Sequence, residues 1–281
     1  MIKQRTIKKA VVIKGTGLQT GRSVILNLTP SGANSGINFI RTDLVNKPLL
    51  NIQSLSQAAG GPLNLERRTV LGSGPIQIQT TEHLLSALSG LGIDNIAAEL
   101  DGEELPGLDG SAIGFVEAIK KAGISEQDAP KRMLKIDTPV WVEGVDNFIA
   151  AFPADVFRVS YTMSYKSPAL GTHFFDSEID EKTFEKAIAP ARTFCIKEEA
   201  LILLTLGLGK GASYENTLVM GHNGPVKNRL RFSDEPVRHK VLDLIGDLYI
   251  LGMPIIGHVV AIKSGHKLNM ELVKRLKLLI K

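Results

Sequence analysis

The chain has 281 residues, 43% hydrophobic and 22% charged, proportions of a soluble globular protein that exclude disordered, collagen-like and coiled-coil classes. Lys and Arg number 33 against 29 Asp and Glu, a formal net charge of +4. That excess is too small and too scattered for a nucleic-acid-binding protein, yet compatible with an anionic small-molecule substrate. The single cysteine, Cys195, excludes an intramolecular disulfide framework and a cysteine-based zinc cluster.

The opening residues, MIKQRTIKKAVVIKG, hold no apolar run followed by a small-residue cleavage site, so no secretory signal is expected. The longest helix-like apolar stretch, 200–209, is about half a bilayer span. These features lead us to expect a cytoplasmic protein that does not span a membrane; a monomer is expected separately from them. Residues 1–56 read as β structure, with segments at 10–13, 24–28 and 37–40 punctuated by glycines. In TTEHLLSALSGL, Thr80 or Thr81 is predicted to cap a helix whose Leu84, Leu85, Ala87, Leu88 and Leu91 recur at helical spacing until Gly92. A strand at 95–100 and a helix at 111–122 follow.

The polar, proline-containing GISEQDAPKR, 123–132, reads as a linker between two domains, 1–126 and 127–281. The second half is predicted to run through strands at 140–143, 148–152 and 156–165, then helices at 183–189 and 196–206. A long helix at 235–251 has Pro236 in its first turn; a strand at 256–263 and a last helix at 270–281 close the chain. TEHLLSALSGLG and VRHKVLDLIGDLYILG each carry a histidine near a helix start, a Leu-Gly stop, a strand and a further helix. The echo predicts an α/β (α+β) class, with two similarly built domains facing one another.

Of six histidines, three have chemically suggestive neighbours. His239 and Asp243 are one helical turn apart on one face and can offer an imidazole nitrogen and a carboxylate oxygen to one metal ion; a surface hydrogen bond is the plainer reading of that spacing. Glu82-His83 opens an otherwise apolar helix, where a histidine can ligate a metal beside a carboxylate that takes a proton from water. Its plainer reading is a carboxylate complementing the helix dipole beside a solvated histidine. Ser264-Gly265-His266 follows a strand, the place where open α/β sheets put their ligands, and Asp247, four residues beyond Asp243, can orient that histidine. His173, His222 and His258 lack such company and read as surface or structurally satisfied residues. Cys195 reads as a packing residue. Gly207 to Gly211, GLGKG, lacks the Gly-Lys-Ser/Thr ending of a nucleotide loop and reads as a flexible connection.

TTEHLLSALSGLGIDN, ELPGLDGSAIGFV, ARTFC, LRFSDEPVRHKVLDLIGDLYILG and KSGHKLN occur in one order. Together they closely resemble the UDP-3-O-acyl-N-acetylglucosamine deacetylase family, the zinc enzymes of lipid A synthesis, over nearly the whole chain. The resemblance implies His83, His239 and Asp243 as zinc ligands, a set that also accommodates iron(II), and Glu82 as general base. It implies His266 as the second catalytic group, Asp247 as its paired carboxylate and Thr193 as a hydroxyl polarising the substrate carbonyl. Phe194, Lys240 and Lys263 match positions lining the sugar and diphosphate site, and Tyr165 the aromatic near uracil. The site is expected between the two domains, with an apolar passage for the acyl chain around 196–222. No second catalytic domain is expected beyond the final helix.

Two departures stand out. Gln19 in Gly17-Leu18-Gln19-Thr20-Gly21 replaces the histidine usual in the family, and Ser167-Pro168 replaces a His-Pro. The competing readings are a zinc deacetylase of another N-acetylated nucleotide sugar and a non-catalytic binding protein of the same fold.

Overall fold

The computed structural model describes residues 1–53 and 68–280. Along Ser23–Pro30, Val24, Leu26 and Leu28 are buried while Ile25 faces outward, the two-residue period of a strand with one face on a core. That strand belongs to an N-terminal sheet of β1 (Val11–Thr16), β2 (Ser23–Pro30), β3 (Ile37–Arg41), β4 (Leu49–Asn51) and β5 (Ile96–Leu100). Their spatial order is β1-β2-β5-β3-β4, antiparallel throughout except between β5 and β3. The C-terminal sheet contains β6 (Val140–Glu143), β7 (Phe148–Phe152), β8 (Phe157–Ser164), β9 (Thr172–Glu178) and β10 (Ile255–Ile262). Their order is β6-β7-β10-β8-β9, with β10 and β8 as the parallel pair; Leu134–Lys135 adds a short parallel segment at the start of β10.

The two strand orders are the same pattern. The main helices are α1 (Glu82–Gly90), α2 (Ile113–Ala122), α3 (Lys197–Thr205), α4 (Glu235–Leu248) and α5 (His266–Lys277). α1 precedes β5 and α2 follows it, just as α4 precedes β10 and α5 follows it. The echo heard in the sequence is therefore a repeat of topology.

α1 and α4, the equivalent helices of the two halves, pack directly on one another. Every residue from Glu82 to Leu88 is buried, as is all of α4 except Arg238 and Lys240. A helix buried all round faces more than one partner, and here the second partner is the opposite half. Gly246 makes the approach possible: a Cβ there would lie 2.1 Å from the carbonyl oxygen of Glu82. One continuous apolar core joins Ile7, Leu85, Ile245 and Leu276.

The structure departs from the sequence reading at several points. The stretch read as a linker contains the strand Ile124–Pro130, which pairs antiparallel with Lys3–Ile7; it is polar because most of its side chains stay in contact with water. Thr81 occupies the cap position of α1 without a side-chain capping bond, and Thr80, at φ +57°, instead donates its hydroxyl to Glu104 Oε1 at 2.9 Å. The long helix ends at Leu248 and tightens into a turn, Tyr249–Leu251, before left-handed Gly252. The last helix starts at His266, because Gly265 is its cap and not a stop. Positions 54–56 of the N-terminal β reading, and Lys281, lie outside the described residues.

Between β9 and β10 in sequence, Phe194–Ile196 pairs parallel with Leu218–Gly221, which pairs in turn with Gly224–Pro225. α3 is carried between them and has no buried residue. The GLGKG stretch is anchored, contrary to its reading as a flexible connection. Lys210 N donates to Gln19 O at 3.2 Å, Gly211 N to Leu18 O at 3.1 Å and Gly209 N to Gln19 Oε1 at 3.1 Å. A Cβ on Gly211 would stand 2.1 Å from Gly17 O.

Candidate metal centre and active site

The first turn of α1 and the middle of α4 meet where the helices cross, and their polar side chains turn toward one another. Glu82, His83 and His239 are each 3% exposed and Asp243 4%. The alternative of a solvated Glu82-His83 pair at a helix end is thereby overturned: the helix end is itself buried under α4. One donor atom from each of His83, His239 and Asp243 lies within 4.8 Å of the others. His239 Nε2 stands 3.3 Å from Asp243 Oδ1, and His83 Nε2 3.9 Å from the same oxygen. Metal bonds of about 2.1 Å in tetrahedral array put ligand atoms roughly 3.4 Å apart, so the spacing fits a divalent ion. His239 donates its other nitrogen, Nδ1, to the carbonyl oxygen of Ala191 at 3.0 Å, which leaves Nε2 as the lone-pair nitrogen facing the centre. His83 Nδ1 is buried without a partner among the described residues.

Protonation states suit the same use. Burial, reinforced by the neighbouring His239, pushes His83 down to about 3, and burial likewise lowers His239; both rings are neutral at physiological pH and able to bind a cation. Burial alone would raise Asp243, but His239 in the protonated form it takes in acid, together with the Lys240 ammonium, outweighs burial and holds the carboxyl well below its ordinary range. Lys240 Nζ donates to Asp243 Oδ2 at 2.6 Å, leaving Oδ1 toward the two imidazoles.

Glu82 and His266 complete the constellation, with donor atoms within 4.8 Å of each other and of Asp243. Burial pushes Glu82 up to about 8, against the pull of His266. Burial works to lower His266, but the Asp247 carboxylate overcomes it and raises the imidazole to about 9; Nδ1 of that ring donates to Asp247 Oδ2 at 2.8 Å. The pair therefore offers a carboxyl that ionises near neutrality and an imidazolium poised to give up a proton.

All of this opens into a cavity of about 1030 Å³. Glu82, His83, His239, Asp243 and His266 line it together with Thr193, Phe194, Lys240, Lys263 and Tyr165; Asp247 lies behind His266, away from the cavity. The Tyr165 and Phe194 rings meet edge to face, 5.8 Å between centroids, and Lys263 Nζ pairs with Asp146 at 3.1 Å. One wall is apolar, formed by Leu18, Ile196, Leu203, Leu204 and Val219. Gln19, the departure from the family pattern, also lines the cavity and ties α3's connection to the N-terminal half.

Sequence reasoning missed the residues that hold these side chains. Arg192 and the fully buried Glu235 pair at 2.9 Å, and Glu235 also accepts from the Arg192 and Arg231 N–H groups, fixing the chain that carries Thr193. Glu104 accepts from the N–H groups of Gln19 and Thr20 and from the hydroxyls of Thr20 and Thr80. Thr69 contacts Glu82, Asp247 and His266. Only Glu235 carried a signal, as an acidic residue in a helix's first turn.

The family model described as LpxC, UDP-3-O-acyl N-acetylglycosamine deacetylase, matches residues 4–278. A UDP-3-O-acyl-N-acetylglucosamine deacetylase of Chlamydia caviae is 41% identical over 275 residues, covering 97% of this chain and 96% of its own. One from Myxococcus xanthus is 40% identical over 273 residues, covering 97% and 85%. A bifunctional enzyme LpxC/FabZ of Chlorobaculum tepidum is 39% identical over 306 residues, covering 99% of this chain and 64% of that longer protein. With a match of that extent, and a buried two-histidine, one-aspartate cluster in its cavity, the chain belongs to the UDP-3-O-acyl N-acetylglycosamine deacetylase family.

Proposed function

We propose that this chain hydrolyses the acetamide of UDP-3-O-acyl-N-acetylglucosamine to UDP-3-O-acyl-glucosamine and acetate, a step of lipid A biosynthesis, with zinc held by His83, His239 and Asp243. The observation that carries the reading is the convergence of those three donors within 4.8 Å, at the wall of a cavity that Glu82 and His266 also face. Zinc in such a set supplies Lewis acidity, polarising a carbonyl and acidifying water.

The chain's own residues supply the rest. Glu82, once ionised, takes a proton from the attacking water. His266, held protonated by Asp247, gives one to the departing amine. The Thr193 hydroxyl donates to the amide oxygen as negative charge develops there. Lys240 and Lys263 face the diphosphate, Phe194 the sugar and Tyr165 the uracil. The apolar wall built by 196–222 takes the acyl chain. An N-terminal unit contributes Glu82 and His83 and a C-terminal unit the remaining ligands and acid, in a monomeric, cytoplasmic enzyme.

The decisive experiment combines metal analysis of the purified protein with a deacetylation assay on the acylated UDP sugar. Stoichiometric zinc and acetate release are expected, both lost on chelation and restored by zinc. Metal-free protein that turns over the substrate at the same rate would overturn the proposal, as would His239→Ala retaining full metal content after dialysis.

A further inference from the structure

Thr69 stands between the two groups assigned the proton transfers and touches both. Its peptide N–H donates to Glu82 Oε2 at 3.0 Å. Its hydroxyl donates to Asp247 Oδ1 and stands 3.1 Å from His266 Nδ1. Its carbonyl accepts from the N–H of Thr81, the residue before Glu82, at 3.4 Å. Thr69 is buried, and Asp247 fully so.

The other oxygen of Asp247, Oδ2, accepts from His266 Nδ1 at 2.8 Å and from Asn269 Nδ2 at 2.8 Å; Asn269 is itself held by the Ser264 hydroxyl at 2.6 Å. A carboxylate torsion is soft, and bonds to one oxygen alone leave its plane free to swing. The Thr69 hydroxyl fixes Oδ1 and with it the plane. The plane sets the direction of the Nδ1–H bond, and so the direction in which the opposite nitrogen, Nε2, enters the cavity, where it stands 3.9 Å from Asp243 Oδ2.

We propose that Thr69 is the positioning residue of the acid–base pair. Its hydroxyl orients His266 through Asp247 while its peptide N–H orients Glu82, so a single residue sets the distance between the proton acceptor and the proton donor. This deepens the deacetylase reading and rests on it.

The test compares Thr69→Val, which keeps the shape and the peptide N–H, with Thr69→Ser, which keeps the hydroxyl; Thr69→Ala serves should valine fail to fold. On the acylated UDP sugar, Thr69→Val is expected to lower kcat about 10- to 100-fold, the scale for losing a partner that orients a site group. KM and zinc content stay unchanged, and Thr69→Ser recovers most of kcat. Because the hydroxyl acts through Asp247, Thr69→Val in an Asp247→Ala background should lower kcat no further.

Wild-type kcat in Thr69→Val overturns the inference, as does a loss of equal size with and without Asp247. Should the wild-type chain fail to turn over the acylated sugar, it is the deacetylase reading that fails. Proton NMR then decides the positioning role by itself: the downfield His266 Nδ1–H signal is lost in Thr69→Val and kept in Thr69→Ser if the role is right, and unchanged in both if it is wrong.

Discussion

Glu82 can accept a proton only when ionised, and His266 can donate one only when protonated. Burial raises Glu82 to about 8, and a cation in the adjoining cluster draws it downward by favouring the carboxylate. Asp247, working against burial, raises His266 to about 9. The expected kcat/KM profile therefore rises as Glu82 loses its proton below pH 8 and falls as His266 loses its own on the way to pH 9. His266→Gln should erase the alkaline fall and keep the acidic rise; a fall that survives the substitution would remove His266 as the acid. Glu82→Gln should keep its zinc and lose at least about a hundredfold in kcat, measured at saturating substrate. At this scale the sequence displayed the participants but not their supports. His239 and Asp243 are a turn apart, and Glu82 and His83 adjacent, so spacing alone exposes them. Thr69 and Glu104 reach the site through hydrogen bonds between distant segments, which no local spacing reveals.

The crossing of α1 on α4 carries the ligand geometry, and it depends on a residue without a side chain. Gly246→Ala places a methyl 2.1 Å from the Glu82 carbonyl oxygen, so the helices must separate. Overpacking of this kind costs about 1–3 kcal/mol, to be read from urea denaturation, and activity should fall further than stability because Glu82 and His83 move away from His239 and Asp243. Full activity in that variant would show that the close crossing is dispensable. Elements with long apolar periodicity were legible: α1 and α4 begin within two residues of their predicted starts. The start of α5 was not, because HKLN offers no apolar stripe and Gly265 serves equally as a stop or a cap. Ile124–Pro130 was hidden for a related reason, as a strand rich in polar residues has the composition of a loop.

Across the whole molecule, the repeated strand order and the continuous core make the halves interdependent. Tyr249 in the second half donates its hydroxyl to the Ile93 carbonyl in the first at 2.8 Å, and the candidate ligands come from both sides of the seam. Calorimetry should show one unfolding transition; two separable ones would mean that the halves melt independently. Zinc removal should lower the midpoint by about 5 °C if the ion is present at a hundredfold over its dissociation constant. The repeat itself was audible in the sequence only as a matching order of histidine, Leu-Gly and strand, since its individual strands share little composition. At the centre of that seam, the ring of His239 takes its orientation from the peptide oxygen of residue 191. A peptide oxygen survives every replacement of the side chain beside it. Inherited variation at 191 therefore leaves the tautomer of His239 alone, and reaches it only by displacing the chain.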